Sequence, residues 1–181
     1  MQISEPAEYV ILGLLKIRPM HGYEMFQQFE GGIPGQIVHL EMSQMYAYLK
    51  KLERLRYIEA ELEPQGRRPP RKIFHLTPTG HDVFLQWLTQ PVQKPRDIRI
   101  LFLVKLYFME RFLPALTANL VDQQIDACQR FLEHLEAKQC HEAETSDRAF
   151  FDHVVLRSRI YQTRSLLDWL RELQEEMART R

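Results

Sequence analysis

The chain begins with a stretch that is apolar almost all round, YVILGLLKI at positions 9–17, with Ser4 or Glu5 ahead of it and Pro19 behind. Such a segment is a short helix buried on most sides. Residues 20–30, MHGYEMFQQFE, set apolar positions at helical spacing and predict a second helix, which GGIPG at 31–35 must stop and replace with a loop. A third helix follows from about Ser43 to Arg56. Its turn of about 100° per residue gathers Met45, Tyr48, Leu49, Leu52 and Leu55 on one side. The other side carries Ser43, Ala47, Lys50 and Arg54, flanked by Gln44, Tyr46 and Lys51.

Past Tyr57 the period changes from helical to alternating. IEAELE places Ile58, Ala60 and Leu62 on one face and three glutamates on the other, which is a strand with one buried face; RKIFHLT at 71–77 reads as its partner. PQGRRPP between them is expected as an exposed turn, because its prolines cannot donate to a ladder. Thr77 then caps a helix with Pro78 at its first position, running through Val83, Phe84, Trp87 and Leu88 to about Gln90. TQPVQKPRD, with prolines at 91 and 95, interrupts every period and marks a boundary.

Beyond that boundary all of the pattern is helical. One helix spans Ile98 to Arg111. Pro114 starts another, in which Val121, Ile125, Cys128, Leu132 and Leu135 recur at alternating steps of four and three, the spacing of a coiled-coil seam. A break near Thr145 to Asp147 precedes a last helix with Leu166, Leu170, Leu173 and Met177 on one face. Two seams joined by a turn predict an antiparallel helical hairpin, and what it leaves uncovered a second copy can bury. The reading is therefore mainly α with a small β-hairpin: residues 1–90 as a winged helix-turn-helix domain, 91–97 as a linker and 98–181 as a helical dimerisation or effector domain.

Charge sharpens this picture. The 24 Lys and Arg are balanced by 24 Asp and Glu, which excludes a protein that coats nucleic acid by bulk charge. The balance is uneven along the chain. From Ser43 to Lys72 there are eight cations (Lys50, Lys51, Arg54, Arg56, Arg67, Arg68, Arg71, Lys72) against four glutamates (Glu53, Glu59, Glu61, Glu63), a local surplus of four. A discrete anion-binding surface has this signature. A 45% hydrophobic content supplies a core, and neither the opening MQISEPAE nor any apolar run resembles a signal or a membrane span, so a cytoplasmic protein without membrane contact is expected. Cys128 and Cys140, twelve residues apart on one helix, are too far apart to bridge.

Three helices, a hairpin with a basic tip and a further helix follow the winged helix-turn-helix plan. In that plan the third helix enters the major groove of duplex DNA, and the tip lies along the neighbouring backbone or reaches toward the minor groove. The candidate DNA contacts are Ser43, Gln44, Tyr46, Ala47, Lys50, Lys51 and Arg54 on the helix, and Arg67, Arg68, Arg71 and Lys72 on the wing. Gln can pair bidentately with adenine and Ala47 can meet a thymine methyl. Without the wing, the same helix face would read as an ordinary solvated one. His21 and Tyr23 begin the second helix, where backbone amides can hold a phosphate; the alternative is that Tyr23 simply packs.

The motifs also resemble a known family. His21-Gly22-Tyr23-Glu24, then Tyr46-Ala47-Tyr48-Leu49-Lys50-Lys51-Leu52-Glu53, then Arg71-Lys72-Ile73-Phe74-His75-Leu76-Thr77-Pro78-Thr79-Gly80 are similar to the signature elements of the PadR family of bacterial transcriptional regulators. The segment from Leu62 to Pro91 and the long helical second half look most like the branch containing the AphA-type virulence regulators. The resemblance implies a regulator that dimerises through its C-terminal helices; two copies related by a two-fold axis are expected to read a palindrome-like operator, with an effector or a partner protein changing the angle between the wings. Two departures stand out. Arg56 occupies a turn that usually holds glycine, and Glu41, Met42 and Ser43 stand where the family often has Gly or Pro-Gly.

Other chemistry is weakly represented. Cys128, His134, Cys140 and His141 scatter round their helix rather than converging, which argues against a metal site, and no cofactor motif is present. GxSxG, HExxH, a phosphate-binding glycine loop and CxxC are absent, so no enzyme is expected. Phe102, Tyr107, Phe108, Phe112 and Trp169 are either core or the lining of a pocket for a small aromatic effector, as in some PadR relatives. The competing function is a winged-helix adaptor that binds an acidic protein instead of DNA.

Overall fold

A computed structural model describes residues 3–66, 68–142 and 149–180, with the backbone alone described at 65, 68, 69, 140–142, 149 and 180. The described residues up to Gln90, together with Leu103–Phe112, form one compact unit; Pro91–Phe102 and the described residues from Leu113 onward form a second.

In the first unit, α1 (Pro6–Ile17) begins at a capping box between Glu5 and Glu8 and ends where Arg18 turns extended ahead of Pro19. Val10 to Leu15 are all buried, as an apolar-all-round helix requires. The second helix is shorter than the periodicity predicts. Met20 and His21 form a two-residue strand, β1 (Met20–His21), paired with Phe74 and Ile73, and α2 (Gly22–Glu30) starts only after His21 has capped it. The expected loop at 31–35 is also partly helical. Pro34 sits in the first turn of α3 (Ile33–Ile37), where its fixed φ suits a helix and its missing N–H leaves nothing unpaired.

The third predicted helix is therefore the fourth, α4 (Met42–Arg54). Glu41 and Gln44 close a capping box at its start, with Gln44 Oε1 accepting the Glu41 amide at 2.9 Å, so side chains satisfy the first amides of the helix. At its end Arg56 takes φ 60°, and the Arg56 and Tyr57 amides donate to the Glu53 and Leu52 carbonyls, both at 3.0 Å. This is a Schellman turn with an arginine in the glycine position.

The three strands lie in the order β1-β3-β2, with β2 (Ile58–Gln65) antiparallel to β3 (Arg68–Leu76). Pairing runs from Ile58↔Leu76 to Glu63↔Arg71 and, past an irregularity between Glu63 and Gln65, to Gln65↔Arg68. The strands thus extend into the prolines assigned from sequence to the turn. Pro64 falls at the irregularity, and β1 covers β3 only at residues 73–74, so Pro69 and Pro70 need no outward donor. Burial fades along the hairpin: Ile58 is buried, whereas Leu62 on the same face is exposed, because the wing projects beyond the core. Thr77 caps α5 (Pro78–Leu88) by accepting the Gly80 amide at 3.0 Å, and its own hydroxyl lies 2.8 Å from the Arg56 carbonyl. A Cβ on Gly80 would stand 2.0 Å from the Tyr57 oxygen, which explains the glycine in the strand-to-helix motif.

α6 (Pro95–Phe112) gives its residues from Leu103 onward to the first unit, where Phe108 and Phe112 pack with Phe84. The second unit is a helical hairpin of α7 (Thr117–Glu142) and α8 (Ala149–Thr180), preceded by a 3-10 turn at Pro114–Leu116. Asp122–Gln174 and Glu136–Arg164 bonds, both 2.6 Å, fix its antiparallel sense. On α7 three of the five expected seam residues, Val121, Cys128 and Leu135, are buried, while Ile125 and Leu132 are half-buried and Gln124 is buried in their line. Its amide bonds reciprocally with Val92, accepting N–H at 2.7 Å and donating to C=O at 2.9 Å. On α8 the buried line is Leu156, Ile160, Thr163, Leu167 and Leu170, and Leu166, Leu173 and Met177 flank it half-buried. The seam expected there is offset because a threonine occupies one of its positions. The break expected at Thr145 to Asp147 lies outside the described residues.

Among the described residues, no helix is long and apolar enough to cross a membrane.

Candidate nucleic-acid interface

Met45, Leu49 and Leu52 bury one side of α4, which leaves Ser43, Gln44, Tyr46, Ala47, Lys50 and Arg54 exposed on the other. This face borders a cleft of about 720 Å³ whose far wall is β3 and whose end is the start of α2. Lys50, Tyr46, Arg71, Lys72, His21 and Tyr23 all line it. The helix cation and the described wing cations therefore address one side of the unit. Arg67 lies outside the described residues, as does the side chain of Arg68.

The sequence does not reveal how the cleft is wired. His21 Nδ1 accepts the Glu24 amide at 3.1 Å, which in the neutral ring puts the proton on Nε2. Nε2 faces Arg71 Nη1 across 3.4 Å and lies 3.9 Å from Glu24 Oε2. Glu24 is itself bonded by Arg18, whose guanidinium holds the carboxyl below its ordinary range. On the other wall, Lys72 reaches Glu53 at 3.1 and 3.2 Å. Both groups are well exposed, and such a pair is worth less than about 1 kcal/mol, so a phosphate can replace the carboxylate. Glu53 does not stand out in the sequence as a member of this site; its position three residues after Lys50 on one helix is the available signal.

Lys51 does not share the cleft. It turns to α1 and pairs with Glu8, a fully buried carboxylate. The aromatic candidates do not converge either. Phe102 meets Trp169 edge-on at 6.0 Å in the second unit, while Tyr107, Phe108 and Phe112 belong to the first, Phe108 lying 4.9 Å from Tyr107 and stacked on Phe112 at 5.9 Å.

A winged helix with an exposed helix face and a basic hairpin around one cleft defines a DNA-binding transcriptional regulator. Residues 11–86 match the transcriptional regulator PadR-like family, and residues 98–178 match the virulence activator alpha C-terminal family. The first unit thus matches the PadR-like family of transcriptional regulators, and the chain is similar over most of its length to a regulator of that name. It is 27% identical over 172 residues to the negative transcriptional regulator PadR of Bacillus subtilis (strain 168), a span covering 92% of this chain and 94% of that protein. Similar solved structures include Bacillus subtilis PadR in complex with operator DNA, at 24% identity and TM-score 0.48 over 95% of this chain and 99% of that one. Another is the PadR-like regulator BC1756 from Bacillus cereus, at 22% identity and TM-score 0.44 over 97% of each chain.

Proposed function

We propose that the protein binds its operator as a homodimer, with α4 of each protomer in a major groove and the wing on the adjacent backbone. The observation that carries this reading is the shared cleft: Lys50 on α4 and Arg71 and Lys72 on β3 line one space, so one duplex can meet all three. Ser43, Gln44 and Ala47 at the exposed start of α4 are the base-reading candidates. Lys50, Arg54, Arg71, Lys72 and the Nε2–H of His21 face phosphates, while Tyr23 and Tyr46, both about half exposed, flank the backbone.

Dimerisation is supported by apolar surface that the hairpin leaves uncovered. Phe150 and Phe151 are each 73% exposed, and Val154, Val155 and Tyr161 extend the same stretch of α8. A second copy would bury it. A two-fold dimer reads a palindrome-like site with half-sites about 34 Å apart, one helical turn, or a multiple of it. Selection of bound duplexes from a random pool tests this. Two inverted half-sites at that spacing are expected; enrichment of one unrepeated motif would contradict the dimeric reading.

A further inference from the structure

The DNA cleft holds an acidic group among its cations. Of the described residues that line it, Lys50, Arg71 and Lys72 are basic and Glu53 alone is a carboxylate. Glu53 lies in the last turn of α4, beside Arg54. That end of a helix carries partial negative charge and favours cations, so helix electrostatics do not account for an acid there. The side chain instead reaches the wing, where both of its oxygens accept Lys72 Nζ, at 3.1 and 3.2 Å. Within the hairpin Lys72 stands opposite Leu62, whereas Glu59, Glu61 and Glu63 stand opposite His75, Ile73 and Arg71, on the other face of the strands. The acid that neutralises Lys72 therefore comes from the DNA-facing helix and not from the wing's own glutamates.

We infer that Glu53 is the internal counterion of Lys72, exchanged for a DNA phosphate on binding, and that it thereby sets the strength and the salt sensitivity of the DNA site. The inference rests on the proposed function, since it needs a phosphate at Lys72. Two carboxylate oxygens on one ammonium occupy the position that two phosphate oxygens would take. Both partners are exposed, so a duplex can reach the pair, and a pair of this kind is weak enough to be exchanged, at a cost of up to about fivefold in affinity. Salt screens the ion pair that is broken as well as the one that is formed, so the two effects oppose each other and the Lys72 contact contributes little to the salt dependence. Without the carboxylate, Lys72 would meet its phosphate as an uncompensated cation and contribute the full slope of about 0.9. Glu53 is ten residues beyond Ser43, about 15 Å along the helix, so it acts on the grip of the backbone and leaves the start of α4 to read bases.

The test is a double-mutant cycle on the full-length protein, in which affinity for a duplex enriched from the random pool is measured over a potassium chloride series. Glu53→Gln should tighten binding by about two- to fivefold at low salt and steepen the slope of log affinity against log salt by up to about 0.9. Lys72→Gln should lower the slope by about 0.9 in the Glu53→Gln background and by less than about half of that in the wild type. Because both side chains are exposed, the unfolding midpoints should stay together, and the Lys72 variant reports on the wild-type background even without the Glu53 one. The inference is overturned if Glu53→Gln weakens binding or leaves it unchanged, as a residue that merely props Lys72 in place would. It is overturned equally if Lys72→Gln lowers the slope by the same amount in both backgrounds, which is the result of repulsion at a distance without exchange. A wild type that binds no duplex would overturn the proposed function and this inference with it, whereas either of the former results on a wild type that does bind removes the inference alone.

Discussion

Lys51 of α4 places its Nζ 2.7 Å from Oε1 and 2.9 Å from Oε2 of Glu8, a carboxylate on α1 with no solvent exposure. Oε2 also accepts the Ser4 and Glu5 amides at 2.9 and 3.0 Å. One buried group therefore holds the start of α1 and α4 together. Breaking a buried pair strands a charge, so Glu8→Ala should cost about 3 kcal/mol in urea unfolding. Lys51→Met, which keeps the apolar stem, should lower duplex affinity without changing its salt dependence. A reduced salt slope would place Lys51 on the DNA.

Lys105 offers a pH test. It is 3% exposed, lies 4.0 Å over the Trp87 ring, donates to the Trp87 carbonyl, and is lowered by burial to a pKa of about 7. The unfolded chain keeps that proton to about pH 10.4, so between about pH 7 and 10 unfolding takes up a proton and stability rises with pH. The slope contributed is at most about 1.4 kcal/mol per pH unit. Below pH 7 both states are protonated and the contribution is flat. Lys105→Met should remove the slope; the wild type and variant unfolding midpoints compared at pH 7 and pH 9 would show it.

Arg56 sits at φ 60° in the turn after α4. Its side chain is exposed, so Arg56→Gly removes the Cβ strain at no packing cost and should stabilise by roughly 0.5–1 kcal/mol, visible as a higher melting temperature. No gain would mean that the arginine makes a compensating interaction.

Gly80 predicts the opposite sign. A Cβ there meets the Tyr57 oxygen, which already accepts the Thr77 amide at 3.1 Å. Gly80→Ala should therefore destabilise by about 1–3 kcal/mol and disturb the join between wing and α5.

The signals that the sequence displays most clearly are those set by local chemistry: the alternation of 58–63, the Thr77-Pro78 start of α5, and the apolar side of α4. What it conceals has physical reasons. Met20 and His21 are too few to show a period, and only pairing with β3 makes them a strand. Ile33–Ile37 reads as a loop because glycine and proline are usually breakers, yet proline in a first turn helps a helix start. Pro64, Pro69 and Pro70 extend the wing because exposed edges tolerate a missing donor. Counting leucines misplaces the α8 seam, since Thr163 satisfies its own hydroxyl against Arg159 and can be buried. In the cleft, residue types are legible but partners are not: nothing local shows that Lys51 turns to Glu8, 43 residues away, or that Lys72 reaches Glu53.

The salt dependence of duplex affinity tests the shared cleft most directly. Lys50→Gln with Arg71→Gln should reduce the slope of log affinity against log salt by about 1.8, close to 0.9 for each phosphate left without its cation, with the unfolding midpoint unchanged. A slope equal to that of the wild type would contradict the placement of DNA between α4 and the wing.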